Sequence, residues 1–217
     1  MASKLVIFDC DGVLVDSEQL GNDVFAEMLA SFGHQISGDE STSRFRGMKL
    51  ATCLEILGRE TGIELPDSFE TDLRQRMSSV FQAQLRPVEG ALRLVESLRI
   101  PFCVASSGPR KKIEENLQTT NLYPHFAGKI FSGYEFNSWK PDPGLFLSAA
   151  GHFGVAPRDC IVIEDSFVGV SAGIAANMTV LALNARLDDK SLDAANKLFG
   201  NLDEIHAFFV SQNLSRK

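Results

Sequence analysis

The sequence predicts an α/β fold, a doubly wound parallel sheet carrying an all-helical insert. Three observations predict it. Short apolar runs alternate with helix-period segments from residue 87 to the end. A further apolar run stands alone near the start, at residues 4–8. Between residues 16 and 86 there are helical patterns and no convincing strand. The expected organisation is therefore a core made of residues 1–15 and 87–217, with a helical cap of residues 16–86 inserted after the first strand.

Each element has a local signal. Lys4-Leu5-Val6-Ile7-Phe8 reads as a buried strand that ends at the turn Asp9-Cys10-Asp11-Gly12. Asp16 followed by Gln19 suggests a capping box, after which Leu20, Val24, Met28, Leu29 and Phe32 fall on one helical face. Further helical patterns cover 49–60 and 67–84. A helix at 90–98 leads to a strand at 101–105 and a helix starting near Pro109. A strand at 129–131 precedes a helix that Asp142 can cap, with Pro143 in its first turn. Strands at 160–163 and 178–183 enclose a helix at 167–176, and a terminal helix covers 202–210.

Composition narrows the function classes. A chain of 217 residues with 44% hydrophobic content can bury a core, and no apolar run reaches the roughly 20 residues of a membrane span. The start shows no signal-peptide pattern. Cys10, Cys53, Cys103 and Cys160 are scattered without a CxxC pair, which suits a reduced, cytoplasmic interior. A net charge of −7 argues against nucleic-acid and anionic-membrane partners while leaving room for a small anionic substrate. Oligomeric state is left open.

The chemistry gathers at strand ends. Asp9 and Asp11 follow the first strand, Ser106 and Ser107 the second, Lys140 lies in the loop after the third, and Glu164 and Asp165 follow the fourth. Open parallel sheets bind ligands beyond the carboxyl ends of their strands, so these groups converge. Carboxylates favour a hard cation such as Mg²⁺, which also binds phosphate oxygens. Ser107 and Gly108 lead into a helix whose N–H groups can hold a phosphate. Taken singly, Asp-x-Asp-Gly is a turn, Asp165 or a serine is a helix cap, and Lys140 is a surface lysine. Their joint placement outweighs those readings.

Asp9-Cys10-Asp11-Gly12-Val13-Leu14-Val15-Asp16-Ser17, Ala105-Ser106-Ser107, Lys140-Pro141 and Glu164-Asp165-Ser166 with Gly169 resemble the motifs of the haloacid dehalogenase superfamily, in its small-helical-cap branch with a Rossmann-like core. The resemblance implies a phosphatase in which Asp9 is the nucleophile, forming an aspartyl phosphate, and Asp11 the acid/base. It implies that Ser106 and Lys140 bind the transferring phosphoryl group. It also implies a Mg²⁺ site built from Asp9, the Asp11 carbonyl, Glu164 and Asp165. Arg44, Arg46 and Lys49 flank Gly47-Met48, where similar proteins place a specificity loop, so Arg46, Gly47 and Lys49 are expected to read the substrate.

The segments Phe131-Ser132-Gly133-Tyr134 and Trp139-Lys140-Pro141-Asp142-Pro143 resemble bacterial 6-phosphogluconate phosphatases, which points to a sugar phosphate or sugar-acid phosphate as partner. Asn177 stands where related chains often carry Gly; Asn also tolerates left-handed backbone angles.

Alternatives within and beyond the family are a β-phosphoglucomutase-like phosphoryl transfer and a signalling receiver. Mutases resemble this chain but carry a cap-side His where it has Gly21, and receivers lack both the insert and an acid/base such as Asp11. Arg110-Lys111-Lys112 reads as a solvated helix face, Cys10 as packing, and Phe208-Phe209-Val210 as core.

Overall fold

The computed structural model describes residues 4–46, 48–184 and 190–216. Its core sheet contains β1 (Leu5–Phe8), β2 (Phe102–Ser106), β3 (Ile130–Ser132), β4 (Cys160–Glu164), β5 (Thr179–Leu183) and β6 (Lys197–Phe199). All pairings are parallel, in the order β3-β2-β1-β4-β5-β6. The chain builds one side of the sheet outward from β1, then returns to build the other side from β4. The strand order thus reverses between β1 and β4, and a ligand crevice is expected at their carboxyl ends.

Side-chain alternation sorts the strands into two apolar layers. Val6, Phe8, Val104 and Ile163 face one way, against α5 (Ala91–Ser97), α6 (Arg110–Thr119) and α11 (Leu202–Ser211) through Leu94, Ile113, Leu117, Ile205 and Phe209. Leu5, Ile7, Cys103 and Val162 face the other way, against α9 (Gly144–His152) and α10 (Phe167–Ala175) through Leu145, Phe146, Val170 and Ala172. Phe209 is fully buried with Phe208 beside it, and Cys10 is buried in the same layer, so both were read correctly as packing. Two single-turn helices, α7 (Tyr123–Phe126) and α8 (Gly133–Phe136), flank β3.

Between β1 and α5 the described elements are all helical: α1 (Glu18–Ser31), α2 (Gly38–Phe45), α3 (Leu50–Thr61) and α4 (Phe69–Gln84). They hold their own apolar cluster of Val24, Phe25, Leu29, Phe45, Cys53, Leu57, Phe69 and Leu73. The far end of α4 instead joins the sheet layer through Phe81 and Leu85.

The structure departs from the sequence expectation at α7 and α8, which were not anticipated, at Pro143, which precedes α9 in place of Asp142, and at three further points. Ser17 rather than Asp16 precedes α1, and its hydroxyl makes no cap because it donates to Asp11. Helix α2 was not anticipated: its sequence GDESTSRF has a single large apolar residue, and its start is held by Ser37, whose oxygen accepts from the Glu40 N–H. Strand β6 is a three-residue sheet edge, too short to show periodicity. Asn177 does take a left-handed angle, φ 57°, between α10 and β5.

Candidate active site

The ladder fixes the first two carboxylates. Phe8 pairs with Ile163, and the Asp9 N–H donates to the Ile163 carbonyl at 2.9 Å. Asp9 and Glu164 therefore leave neighbouring strands side by side at the point where strand order reverses. Lys140, from the loop between α8 and α9, closes over both: its ammonium lies 2.5 Å from Asp9 Oδ1 and 2.5 Å from Glu164 Oε1. The second Glu164 oxygen accepts from the Asp165 N–H, the Ser166 N–H and the Ser166 hydroxyl. Glu164 is completely buried and fully engaged.

Asp165 receives no hydrogen bond on its carboxylate among the described residues, and its nearest cation is Arg46, with Nε 3.9 Å away. Ligand oxygens of Asp9, Glu164 and Asp165 lie within 4.8 Å of one another. Lys140 touches two of these three carboxylates, and Arg46 is the nearest cation to the third. Burial pushes the Asp9 carboxyl up to about 7, Lys140 opposing and Glu164 adding to the rise. Burial likewise drives Asp165 well upward, reinforced by Glu18 and Glu164. In both cases burial is the first cause and the neighbouring acids add to it, with Lys140 or Arg46 opposing.

Two glycines make this crowding feasible. Gly12 has φ +79°, and a Cβ there would sit 2.1 Å from Asp165 Oδ2. A Cβ on Gly169 would meet the Glu164 carboxylate at 1.9 Å. Only glycine lets the turn after β1 and the start of α10 close on these acids.

Asp11 lines the same cavity as Asp9, with partners of its own. Its Oδ1 accepts from the Ser17 hydroxyl at 2.5 Å and from Asn116 Nδ2 at 3.4 Å, and its Oδ2 from Lys112 at 2.9 Å. Burial alone would raise this carboxyl, but Lys112 and the Ser17 hydrogen bond more than offset it and hold it low. Lys112 in turn is held charged, Asp11 outweighing the effect of its burial. The lysine expected on a solvated face thus enters the site. Ile113 and Leu117 are buried, and Lys112 and Asn116 flank that stripe at i, i+4, the signal that could have marked them.

Ser106 is buried at the end of β2, its oxygen accepting from the Gly108 N–H at 3.1 Å. The Ser107 hydroxyl is buried without a partner among the described residues, and the Gly108 carbonyl accepts from Ser132. A cavity of roughly 520 Å³ lies over these strand ends. Asp9, Asp11, Ser106, Ser107, Gly108, Lys112 and Lys140 line it from the core, and Glu18, Asn22, Phe25, Lys49 and Arg74 from the helical insert.

Between α2 and α3, the two described residues expected to read the substrate, Arg46 and Lys49, each have a neighbour across the cavity. Arg46 turns toward Asp165. Lys49 stands 3.6 Å above the Trp139 ring and 5.6 Å from that of Tyr134. Arg44 is tied to Glu60 and Glu40. Gly47 lies outside the described residues. Arg74 adds a second bridge, donating to the Tyr134 hydroxyl at 2.9 Å. Sequence reasoning had not singled out Ser17, Glu18, Asn116 or Arg74. No helix among the described residues is long and apolar enough to cross a membrane.

Comparison with known proteins agrees with this architecture. The family model for haloacid dehalogenase-like hydrolases matches residues 6–183. The chain is 37% identical over 178 residues to the 6-phosphogluconate phosphatase of Escherichia coli K12, covering 82% of this chain and 80% of that protein. It is 32% identical to a phosphorylated carbohydrates phosphatase of Thermotoga maritima, over 81% of this chain and 82% of the relative. A haloacid dehalogenase-like protein of unknown function from Agrobacterium tumefaciens C58 superposes with a TM-score of 0.85 at 29% identity, covering 98% of this chain and all of that one. With the strand-end acids and lysine arranged as described, the chain belongs to the haloacid dehalogenase-like hydrolases and is a phosphatase of that family.

Proposed function

We propose that the chain is a Mg²⁺-dependent phosphatase of small sugar phosphates or sugar-acid phosphates, with 6-phosphogluconate the leading candidate, working through an aspartyl phosphate on Asp9. The observation that carries this reading is the Lys140 ammonium bridging Asp9 and Glu164 at 2.5 Å each, with Asp165 in the same cluster, at the reversal of strand order. One such lysine orients the nucleophile in advance and helps neutralise the phosphoryl oxygens during transfer.

The donor set fits a hard divalent cation. Asp9 and Asp165 offer carboxylate oxygens, Asp165 free of hydrogen bonds among the described residues, with Lys140 on Asp9 and Glu164 and the Arg46 guanidinium 3.9 Å from Asp165. Asp9, Asp165 and the Asp11 carbonyl would hold the ion, while Glu164, filled by Lys140 and its own loop, supports the site from behind. When bound, Mg²⁺ supplies charge neutralisation between an anionic nucleophile and an anionic ester.

In the step itself Asp9 attacks phosphorus in line, the P–O bond to the leaving group breaks, and Asp11, ionised beside Lys112 at rest, takes up a proton from solvent as the anionic ester binds and passes it to the departing oxygen. Asp11 then removes a proton from water, whose oxygen attacks the aspartyl phosphate and frees Asp9 and inorganic phosphate. Ser106, Ser107 and Gly108 cradle the phosphoryl group at the start of α6. The helical insert, residues 16–86, acts as the cap that encloses the leaving group. Lys49 and Arg74, which line the cavity from the insert, support a leaving group with its own negative charge, such as a sugar carboxylate, although Glu18 and Glu115 line it too.

Gly21 lines the cavity without a side chain that could couple cap closure to Asp11, which favours water over a sugar hydroxyl as acceptor. The deciding experiment measures phosphate release from 6-phosphogluconate, neutral sugar phosphates and phosphoglycolate, with and without Mg²⁺. The expected result is Mg²⁺-dependent release, strongest for the sugar-acid phosphate. No release from any ester overturns the reading. Conversion of β-glucose 1-phosphate to glucose 6-phosphate, primed by glucose 1,6-bisphosphate and with little free phosphate, replaces it with the mutase.

A further inference from the structure

Lys111 and Lys112 are neighbours on α6 with different surroundings. Lys111 is 87% exposed and reaches only Glu115, at 3.8 Å, whereas Lys112 is 35% exposed and sits 2.9 Å from Asp11 Oδ2. We propose that Lys112, with Asn116 one turn later, is a positioning residue that aims the Asp11 carboxylate at the leaving-group side of Asp9. This rests on the reading of Asp11 as acid/base and deepens it.

The argument is geometric. Asp11 follows the strand by three residues, next to Gly12 with its left-handed backbone, so the ladder that orients Asp9 does not reach it. Turn bonds to Val15 hold its main chain, and its carboxylate is oriented by side-chain partners. Ser17 holds one oxygen at 2.5 Å from the start of α1, and α6 supplies Lys112 to the other oxygen and Asn116 to the first at 3.4 Å. Donors from two elements fix a carboxylate against rotation, which a single donor cannot do. The α6 donors are themselves set by fully packed neighbours, because Ile113 and Leu117 anchor the helix under the sheet. Phe81 from α4 lies 5.9 Å from the Lys112 ammonium and walls it on the insert side.

The test compares wild type, Lys112→Met, Lys112→Arg and Asn116→Ala on two substrates, a sugar phosphate with a carboxylate and one without. For Lys112→Met the expected loss is about tenfold to a hundredfold in kcat on both substrates, part of the whole contribution of general acid–base catalysis, with KM changed by less than about threefold. Lys112→Arg should recover part of the rate, and Asn116→Ala should lose less than Lys112→Met. Thermal melting checks that each variant folds; if Lys112→Met does not, Asn116→Ala and Lys112→Arg carry the comparison.

A kcat within about twofold of wild type for every variant overturns the inference, as does a loss confined to KM for the carboxylate-bearing substrate, which would make Lys112 a substrate contact. Absence of hydrolysis in the wild type would instead remove the phosphatase reading itself.

Discussion

The strand ends of the core and the loop between α2 and α3 both carry charged residues of the site, yet they are held in different ways. In the core, Asp9 and Glu164 are placed by the parallel ladder and Lys140 is locked between them, so their geometry follows from sheet topology. In the insert, Arg46 and Lys49 come from a loop without ladder bonds and find their partners across the cavity, on Asp165 and on Trp139. On the proposed reading, the nucleophile sits where backbone hydrogen bonds fix it, and the groups that would meet the variable part of a substrate sit on the insert. The sharpest ways to break this contrast remove one element from each side.

The largest effect is expected for Asp9→Asn, which should lower turnover roughly a thousandfold or more while the thermal melting curve stays near that of wild type. A carboxamide is a far weaker nucleophile and no longer pairs as an anion with Lys140. Near-normal phosphate release from the verified variant would move the chemistry away from β1. Next is Asp165→Ala, which removes an oxygen of the acidic cluster and one negative charge. Activity titrated against Mg²⁺ should need about tenfold or more metal to reach half its maximum, with part of the rate restored at high Mg²⁺. An unchanged titration would mean the metal is held elsewhere.

A third variant tests packing behind the site rather than chemistry in it. Gly169→Ala pushes a methyl group into the Glu164 carboxylate, which is fully buried and shares Lys140 with Asp9. We expect a destabilisation of about 1–3 kcal/mol, read as a lower melting temperature, together with a loss of kcat as Lys140 shifts. An alanine that leaves both unchanged would show Glu164 free to move without consequence.

The same contrast explains what could be read from the chain. Strand-end residues were legible because a buried parallel strand is a short apolar run, and whatever polar residue follows it must emerge at the ligand face. Asp9, Ser106, Lys140, Glu164 and Asp165 were all found in this way or by motif, and the structure brings them together. Lys112 was not, because three consecutive basic residues look solvated unless the helix phase is tied to the buried Ile113 and Leu117. Ser17 was hidden behind the more obvious capping box of Asp16, although its hydroxyl serves Asp11. Helix α2 was hidden by its composition. Contacts across the cavity, such as Lys49 on Trp139, leave no periodic trace, since they join residues 90 positions apart that belong to no common element.

The smallest expected effect concerns that contact and decides what Lys49 is for. A lysine lying 3.6 Å above an indole and facing a phenol is both a cation lining the cavity and a clasp between insert and core. Cation–π pairs contribute about 0.5–2 kcal/mol, so losing the clasp should cost about twofold to thirtyfold in kcat/KM if closure limits the reaction. Trp139→Leu removes the aromatic partner and keeps the charge; Lys49→Met removes the charge and keeps much of the stem. If Lys49 reads the leaving group, Lys49→Met should weaken hydrolysis of 6-phosphogluconate more than that of an aryl phosphate, and Trp139→Leu should not reproduce that selectivity. If it is only a clasp, the two variants should lose the same factor on both substrates. Arg46→Ala supplies the internal control, since Arg46 faces Asp165 rather than Trp139 and its loss should show in the Mg²⁺ titration more than in the choice between substrates. Equal behaviour of all three variants on both esters would assign the whole loop a structural role and leave selectivity to the core.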